Sequence, residues 1–459
     1  MNSHASSALE FRRRVLRMGL CLSLAAMLAG LVLVGFGTVR AQEQRPLPAL
    51  ATTTFDRPED PVVITGERFP AFSGAPLNEL VAYAYRSGEW APVPFQIDEV
   101  NISGTFVTTD DGLLGNQDEL VFMAGDAGDS ASAAEWPIDA QARLNSRYAI
   151  TVTDPLSASQ QTWVYLYRST TLTRSTVSYI TWTFATQTAS AMSYTASFSP
   201  TKFVGLSNLL INGGNVDILD RQKLRLATIL STFNEESIVT TFHQPATLTL
   251  PIAGPVRAAT NIGDLKAAFY GSRIDFDVTF NLGGLPLTIN SIRTSFDWIS
   301  PTISGIHTYY DSNTPGGVDI DGVPDVISTT PRVDWFQVNG GVAGPGGLVM
   351  TIPNLTPNGG TAAVTNYYMD NQANVGGDTG DLHSYGDAGP LINNPGTVVS
   401  LTLKTYILPP GTDTNVGAAY YARTSNPLQA NTLAQCYAPA GYCLKVYLPL
   451  MLKNLTGTQ

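Results

Sequence analysis

From Ser237 to Gln459 the sequence contains no glutamate, and the whole chain of 459 residues holds only 11 Glu and 6 Lys. The strong charged helix formers are therefore scarce, which argues against a helical bundle and against a doubly wound α/β enzyme. Charged residues of both signs make up only 14%, with a net charge of −11. No basic face is available for a phosphate backbone, so nucleic acid is not an expected partner. A hydrophobic share of 44% is too high for a disordered chain. Cysteine is nearly absent, with Cys21, Cys436 and Cys443 the only three. None is spaced as Cys-x-x-Cys, which argues against a thiolate zinc site. Gly-x-Ser-x-Gly, His-Glu-x-x-His and phosphate-loop signatures are missing too. Beyond Glu236, a carboxylate pair for glycoside hydrolysis would have to be built from Asp.

What is present is turn chemistry and alternation. There are 41 Gly and 29 Pro, and Thr is abundant, which suits pleated, half-exposed strands. Val81, Tyr83 and Tyr85 share one strand face, and Val93, Phe95 and Ile97 share another after a turn at Arg86–Glu89. Further strands are predicted at Glu119–Ala124, Arg147–Thr153, Thr162–Arg168, Ile274–Phe280, Ser291–Trp298, Gly305–Tyr310, Leu348–Ile352 and Val398–Ile407. Val216–Phe233 reads either as an alternating strand or, over Asp217–Arg225, as a helical turn. The pattern predicts an all-β protein of two β-sandwich-like domains, the second larger and with long strands. The first spans 61–170 and the second 171–425.

The flanks read differently. Arg12–Arg17 is a basic start, Met18 to Phe36 is apolar, and Val39 and Ala41 form a small-residue exit. Residues 1–41 are thus expected to be a signal peptide, with an uncleaved membrane anchor as the competing reading. Residues 42–60 read as a polar linker. Residues 426–459 read as a disulfide loop and tail, because an exported chain is expected to bond Cys436 to Cys443.

Two segments carry a resemblance. Val93-Pro94-Phe95-Gln96-Ile97-Asp98-Glu99, followed by Asp118-Glu119-Leu120-Val121-Phe122-Met123-Ala124, resembles uncharacterised exported bacterial β-domain proteins. The tail Val446-Tyr447-Leu448-Pro449-Leu450-Met451-Leu452-Lys453-Asn454 is similar to a short C-terminal tail of exported bacterial proteins. The resemblance implies export and a surface location, and it transfers no catalytic residue.

The sharpest chemical signal is Asp319-Ile320-Asp321-Gly322-Val323-Pro324-Asp325. Alternate Asp residues around a turn-permitting Gly fold carboxylates about a hard cation, so calcium at Asp319, Asp321 and Asp325 is one expectation. It resembles the Asp-rich calcium loops of thrombospondin type 3 repeats and dockerins. The acidic loop ends are missing, so Asp311 or Asn313 would have to substitute. The plain alternative is an Asp-Gly surface turn. A weaker acidic group is Asp110, Asp111, Asp118 and Glu119, which would either converge on an ion or cap turns.

His307-Thr308-Tyr309-Tyr310-Asp311 and His383-Ser384-Tyr385-Gly386-Asp387 share the pattern His-[Ser/Thr]-Tyr-x-Asp. On a strand these three types point to one side. With Asp378 and Asp381 they would line one polar site, where His307, Tyr309, His383, Tyr385 and Asp387 are candidate acid–base groups or metal ligands. The alternative is ordinary hydrogen bonding at strand ends. Three functional readings follow. The first is a non-catalytic exported protein that binds glycan or surface components, with calcium as a stabiliser. The second is a polysaccharide lyase or hydrolase using the His/Tyr/Asp set, and the third is a structural envelope component.

Overall fold

The computed structural model describes residues 55–437, apart from 110, 204, 245–246, 263–264, 284–287, 359–362 and 374–382. The expected signal peptide, most of the linker, the C-terminal tail, Asp110, Asp378, Asp381 and Cys443 lie outside the described residues. Strands take 49% of residues and helices 11%, so the chain is all-β, as its composition indicated. Among the described residues, no helix is long and apolar enough to cross a membrane.

The N-terminal sandwich pairs two sheets. Pro61–Thr65, Glu119–Met123 and Phe95–Asp98 form a three-stranded sheet. It faces a five-stranded sheet ordered Gln429–Gln435, Arg147–Asp154, Ser157–Arg168, Leu80–Arg86, Glu89–Pro92. Val62, Leu120 and Phe122 from one sheet meet Leu80, Ile150 and Leu166 from the other in a common core. The opposite face of the larger sheet is also covered. Val81 and Tyr83 pack there with Tyr165, Tyr167 and Trp136, and Trp90 meets Tyr165 edge-on at 5.0 Å. The Gln429–Gln435 strand returns from past residue 425 to pair with Arg147–Asp154 over its full length.

The larger sandwich is built from a nine-stranded and a five-stranded sheet, with a four-stranded sheet packed into the same core. The five-stranded sheet runs Thr232–Phe233, Leu219–Thr228, Ile289–Trp298, Ser384–Asn393, Ala363–Asn371. The ambiguous segment is therefore a strand. Leu226 faces the core, and the odd-numbered Lys223 and Arg225 take the other face. The helix next to it, Glu235–Phe242, starts at a capping box. The Asn234 side chain accepts from Ser237 N–H, and Ser237 accepts from Asn234 N–H, both at 2.8 Å.

The two sandwiches are joined by the segment that carries the sequence resemblance. Gln96 Oε1 accepts from the backbone N–H groups of Val256 and Arg257, both at 2.8 Å. The Arg257 guanidinium pairs with Asp98 at 2.6 Å and Glu119 at 2.5 Å. Val121 and Met123 pack on Val256 and Tyr270 beside them. Charges this deeply buried persist only when paired and hydrogen-bonded, which explains the Gln-x-Asp and Asp-Glu spacing.

Candidate functional site

At one corner of the larger sandwich the loop after the Thr314–Asp319 strand meets the adjoining ends of the paired strands Ala363–Asn371 and Ser384–Asn393. Ile320 links them, donating its N–H to His307 O at 2.7 Å and laying its side chain against Gly386. Asp370, only 2% exposed, accepts from the backbone N–H groups of Asp321 (2.8 Å), Gly322 (2.9 and 3.0 Å) and Gly386 (3.3 Å). Gly322 is required twice over. Its φ of +82° is left-handed, and a Cβ there would sit 2.9 Å from Gln372 and 3.0 Å from Tyr385.

Asp319, Asp321 and Asp325 are exposed at this corner. Among the described residues, none of them forms an ion pair with Lys or Arg, and neither does Asp370. Burial raises the Asp325 carboxyl above the ordinary range, and the Asp321 and Asp319 charges raise it further. Half-buried Tyr368 responds to the same field: burial, then Asp370, Asp325, Asp321 and Asp319, push its hydroxyl up. Asp321 also serves as a turn former, accepting from Val323 N–H at 2.8 Å. Among the described residues, no group of three or more His, Cys, Asp or Glu side chains is disposed to hold a metal ion. Asp311, the suggested substitute ligand, is fully buried and already accepts from Tyr309 OH, Asn366, and the N–H groups of Asn313 and Thr314.

Half-buried Tyr385 and exposed His383 border the same corner, where Tyr385 OH lies 3.4 Å from Gln372 Oε1 and the His383 ring meets Gln372 O. The two His-Tyr-Asp segments do not form one set. Tyr309 is fully buried against Tyr368, their ring centroids 4.5 Å apart. His307 is exposed, just before its strand. Asp387 belongs to a strand of the five-stranded sheet, where Lys223 Nζ reaches both Asp387 and Asp297 at 2.8 Å. All three are essentially without solvent contact. Burial alone would lower Lys223, but the Asp387 and Asp297 carboxylates raise it above its ordinary value. Burial, with the Asp387 charge added, pushes Asp297 up to about 8, against the lowering effect of Lys223.

The second acidic group is dispersed among structural duties. Asp118 accepts from Gly115 N–H at 2.6 Å, Asp111 from Leu113 N–H at 2.8 Å, and Glu119 pairs with Arg257. Trp136, Trp182, Trp298 and Trp335 are buried, and half-buried Trp90 packs edge-on against Tyr165 and Tyr167, away from the acidic corner. Sequence reasoning found Asp319, Asp321, Asp325, His383 and Tyr385 but missed Asp370 and Tyr368, which join the corner from another strand with no local motif.

No protein-family model matches the chain, and no curated protein matches it. Among solved structures it is similar to an alpha-N-acetylgalactosaminidase from Bifidobacterium bifidum at 11% identity and a TM-score of 0.31, covering 48% of this chain and 36% of that one. A polysaccharide lyase matches at 10% identity and 0.24, covering 47% and 33%. An alpha-mannosidase from Enterococcus faecalis V583 matches at 10% and 0.36, covering 82% and 44%. The chain thus spans less than half the length of these structures, and TM-scores this low establish neither a common fold nor a common activity.

Proposed function

We propose that the protein is an exported, cell-surface or extracellular binding protein that holds a neutral glycan at the acidic corner without cleaving it. The observation that carries this reading is the grouping of exposed Asp319, Asp321 and Asp325 with the rings of Tyr368 and Tyr385 around a loop pinned by Asp370. Carboxylates accept hydrogen bonds from sugar hydroxyls, and a tyrosine ring offers an apolar face with a polar tip. The same carboxylates repel uronic or sulfated sugars. Non-catalytic binding is supported by the burial of Tyr309 and Asp387, which leaves two of the acid–base candidates out of a substrate's reach. Calcium enters this reading as a weak screen of the carboxylates, not as the centre of an oxygen cage. A glycan array containing neutral, aminated and acidic sets tests the proposal on the purified full chain. Retention of neutral glycans and rejection of acidic ones is expected. Binding of acidic glycans alone, or of none, overturns it.

A further inference from the structure

Between the nine-stranded and five-stranded sheets of the larger sandwich lies a cavity of about 250 Å³. Its walls are apolar, with Phe203, Phe276, Phe280, Phe296, Leu401 and Leu403 among them, and the Glu235–Phe242 helix closes one side through Ile238 and Phe242. A second apolar void of about 60 Å³ shares Gln222, Phe276, Phe296 and Met350 with it. The cavity reaches exposed Gln244 and Asn281, which marks its mouth. Close-packed interiors hold few voids larger than a water molecule. An apolar cavity of roughly 150 Å³ already takes a benzene ring, so this one has room for a larger body. Unfilled, its lining rings lose contacts on one side.

One polar group in the wall lacks a hydrogen bond. Glu235 is 1% exposed; its Oε2 accepts from Leu224 N–H at 3.1 Å and from the Arg225 guanidinium. Its Oε1 has no hydrogen-bond partner, and the Arg221 Nη1 is 4.0 Å away. The carboxylate is thus neutralised by the Arg225 and Arg221 guanidinium groups, which leaves the apolar walls to select the guest.

We infer that this cavity binds a neutral, largely apolar ligand, a chain or ring system of about ten non-hydrogen atoms. An anionic head would have to leave water for apolar walls and is disfavoured. This site is separate from the acidic corner and does not depend on glycan binding.

The test is isothermal titration of the full chain with 1-decanol and, separately, with decanoate. One equivalent of decanol is expected to bind with a negative heat-capacity change. Decanoate should bind at least about tenfold more weakly, since its carboxylate would lose water in an apolar cavity. Saturating decanol should raise Tm by about 3–5 °C. Leu403→Phe and Leu226→Phe each push extra ring atoms into the space. Either variant, if its Tm is at or above that of the unliganded wild type, should lose decanol binding. Absence of a saturable one-to-one signal with wild type, equal binding of decanoate, or unaltered decanol affinity in both variants overturns the inference.

Discussion

The Asp370 carboxylate accepts the Gly322 backbone N–H at 2.9 and 3.0 Å, across 48 residues of sequence. This contact fixes the Asp-rich loop against the neighbouring hairpin and aims Asp319, Asp321 and Asp325 outward. Asp370→Ala would leave the amides of Asp321, Gly322 and Gly386 without their acceptor. A loss of about 2–3 kcal/mol is expected, the cost of leaving buried donors unbonded. Urea unfolding checks this, and Asp370→Asn, which keeps an acceptor oxygen, should recover part of the loss.

The Lys223–Asp297–Asp387 cluster makes stability fall as pH rises toward about 8. Asp297 is held at about 8 in the folded protein against an ordinary value of 3.8. The folded state therefore binds more protons than the unfolded state between those values, so the contribution of this group falls as pH rises through that window and is gone above about 8. The Tm should decline from pH 6 to pH 9 in the wild type and decline less in Asp297→Asn. Equal slopes would contradict the assignment.

Arg257 is expected to hold the two sandwiches in one cooperative unit. Arg257→Met removes the partner of Asp98 and Glu119 and leaves a buried carboxylate uncompensated, at a cost of about 3–5 kcal/mol. Scanning calorimetry should show the single transition of the wild type broaden or split. A single, unshifted transition would mean that the joint is held by its apolar contacts alone.

Calcium is expected to act weakly. In millimolar calcium the wild type should gain about 1–2 °C in Tm over chelator, as weak extracellular sites do by mass action. Asp319→Ala/Asp325→Ala should gain less. Equal gains in both proteins would remove this loop from any calcium response.

Much of the architecture was legible because alternation and turn residues act locally. The turn at Arg86–Glu89 is legible, and Tyr85 pairs directly with Trp90, but the return does not run on to Ile97: Glu89–Pro92 completes the hairpin and Phe95–Asp98 crosses to the three-stranded sheet. The acids of the Asp-rich loop were legible by spacing, but spacing alone does not tell a cage from a turn. Asp321 makes its own turn through Val323, and the decisive carboxylate comes from residue 370. The His-Tyr-Asp repeat misled for a similar reason. Tyr309 and Asp311 spend their polar atoms on each other, whereas Asp387 faces a lysine from a strand distant in sequence. The helix Glu235–Phe242 was not legible in the hydrophobic pattern, and its capping box at Asn234 and Ser237 is seen only in the structure. The cavity has no sequence signature at all, because a void is a property of packing between sheets.

The central claim is that the acidic corner is a binding surface in which Tyr368 and Tyr385 supply the stacking faces. It is tested most directly by calorimetric titration of the best-retained neutral glycan into wild type, Tyr368→Ala, Tyr385→Ala and Leu403→Phe, with product analysis of the glycan afterwards. Loss of a stacked ring is expected to weaken binding by about tenfold or more in each tyrosine variant, with Leu403→Phe unaffected and the glycan recovered intact. Undiminished affinity in both tyrosine variants, or cleavage of the glycan by the wild type, would contradict the account.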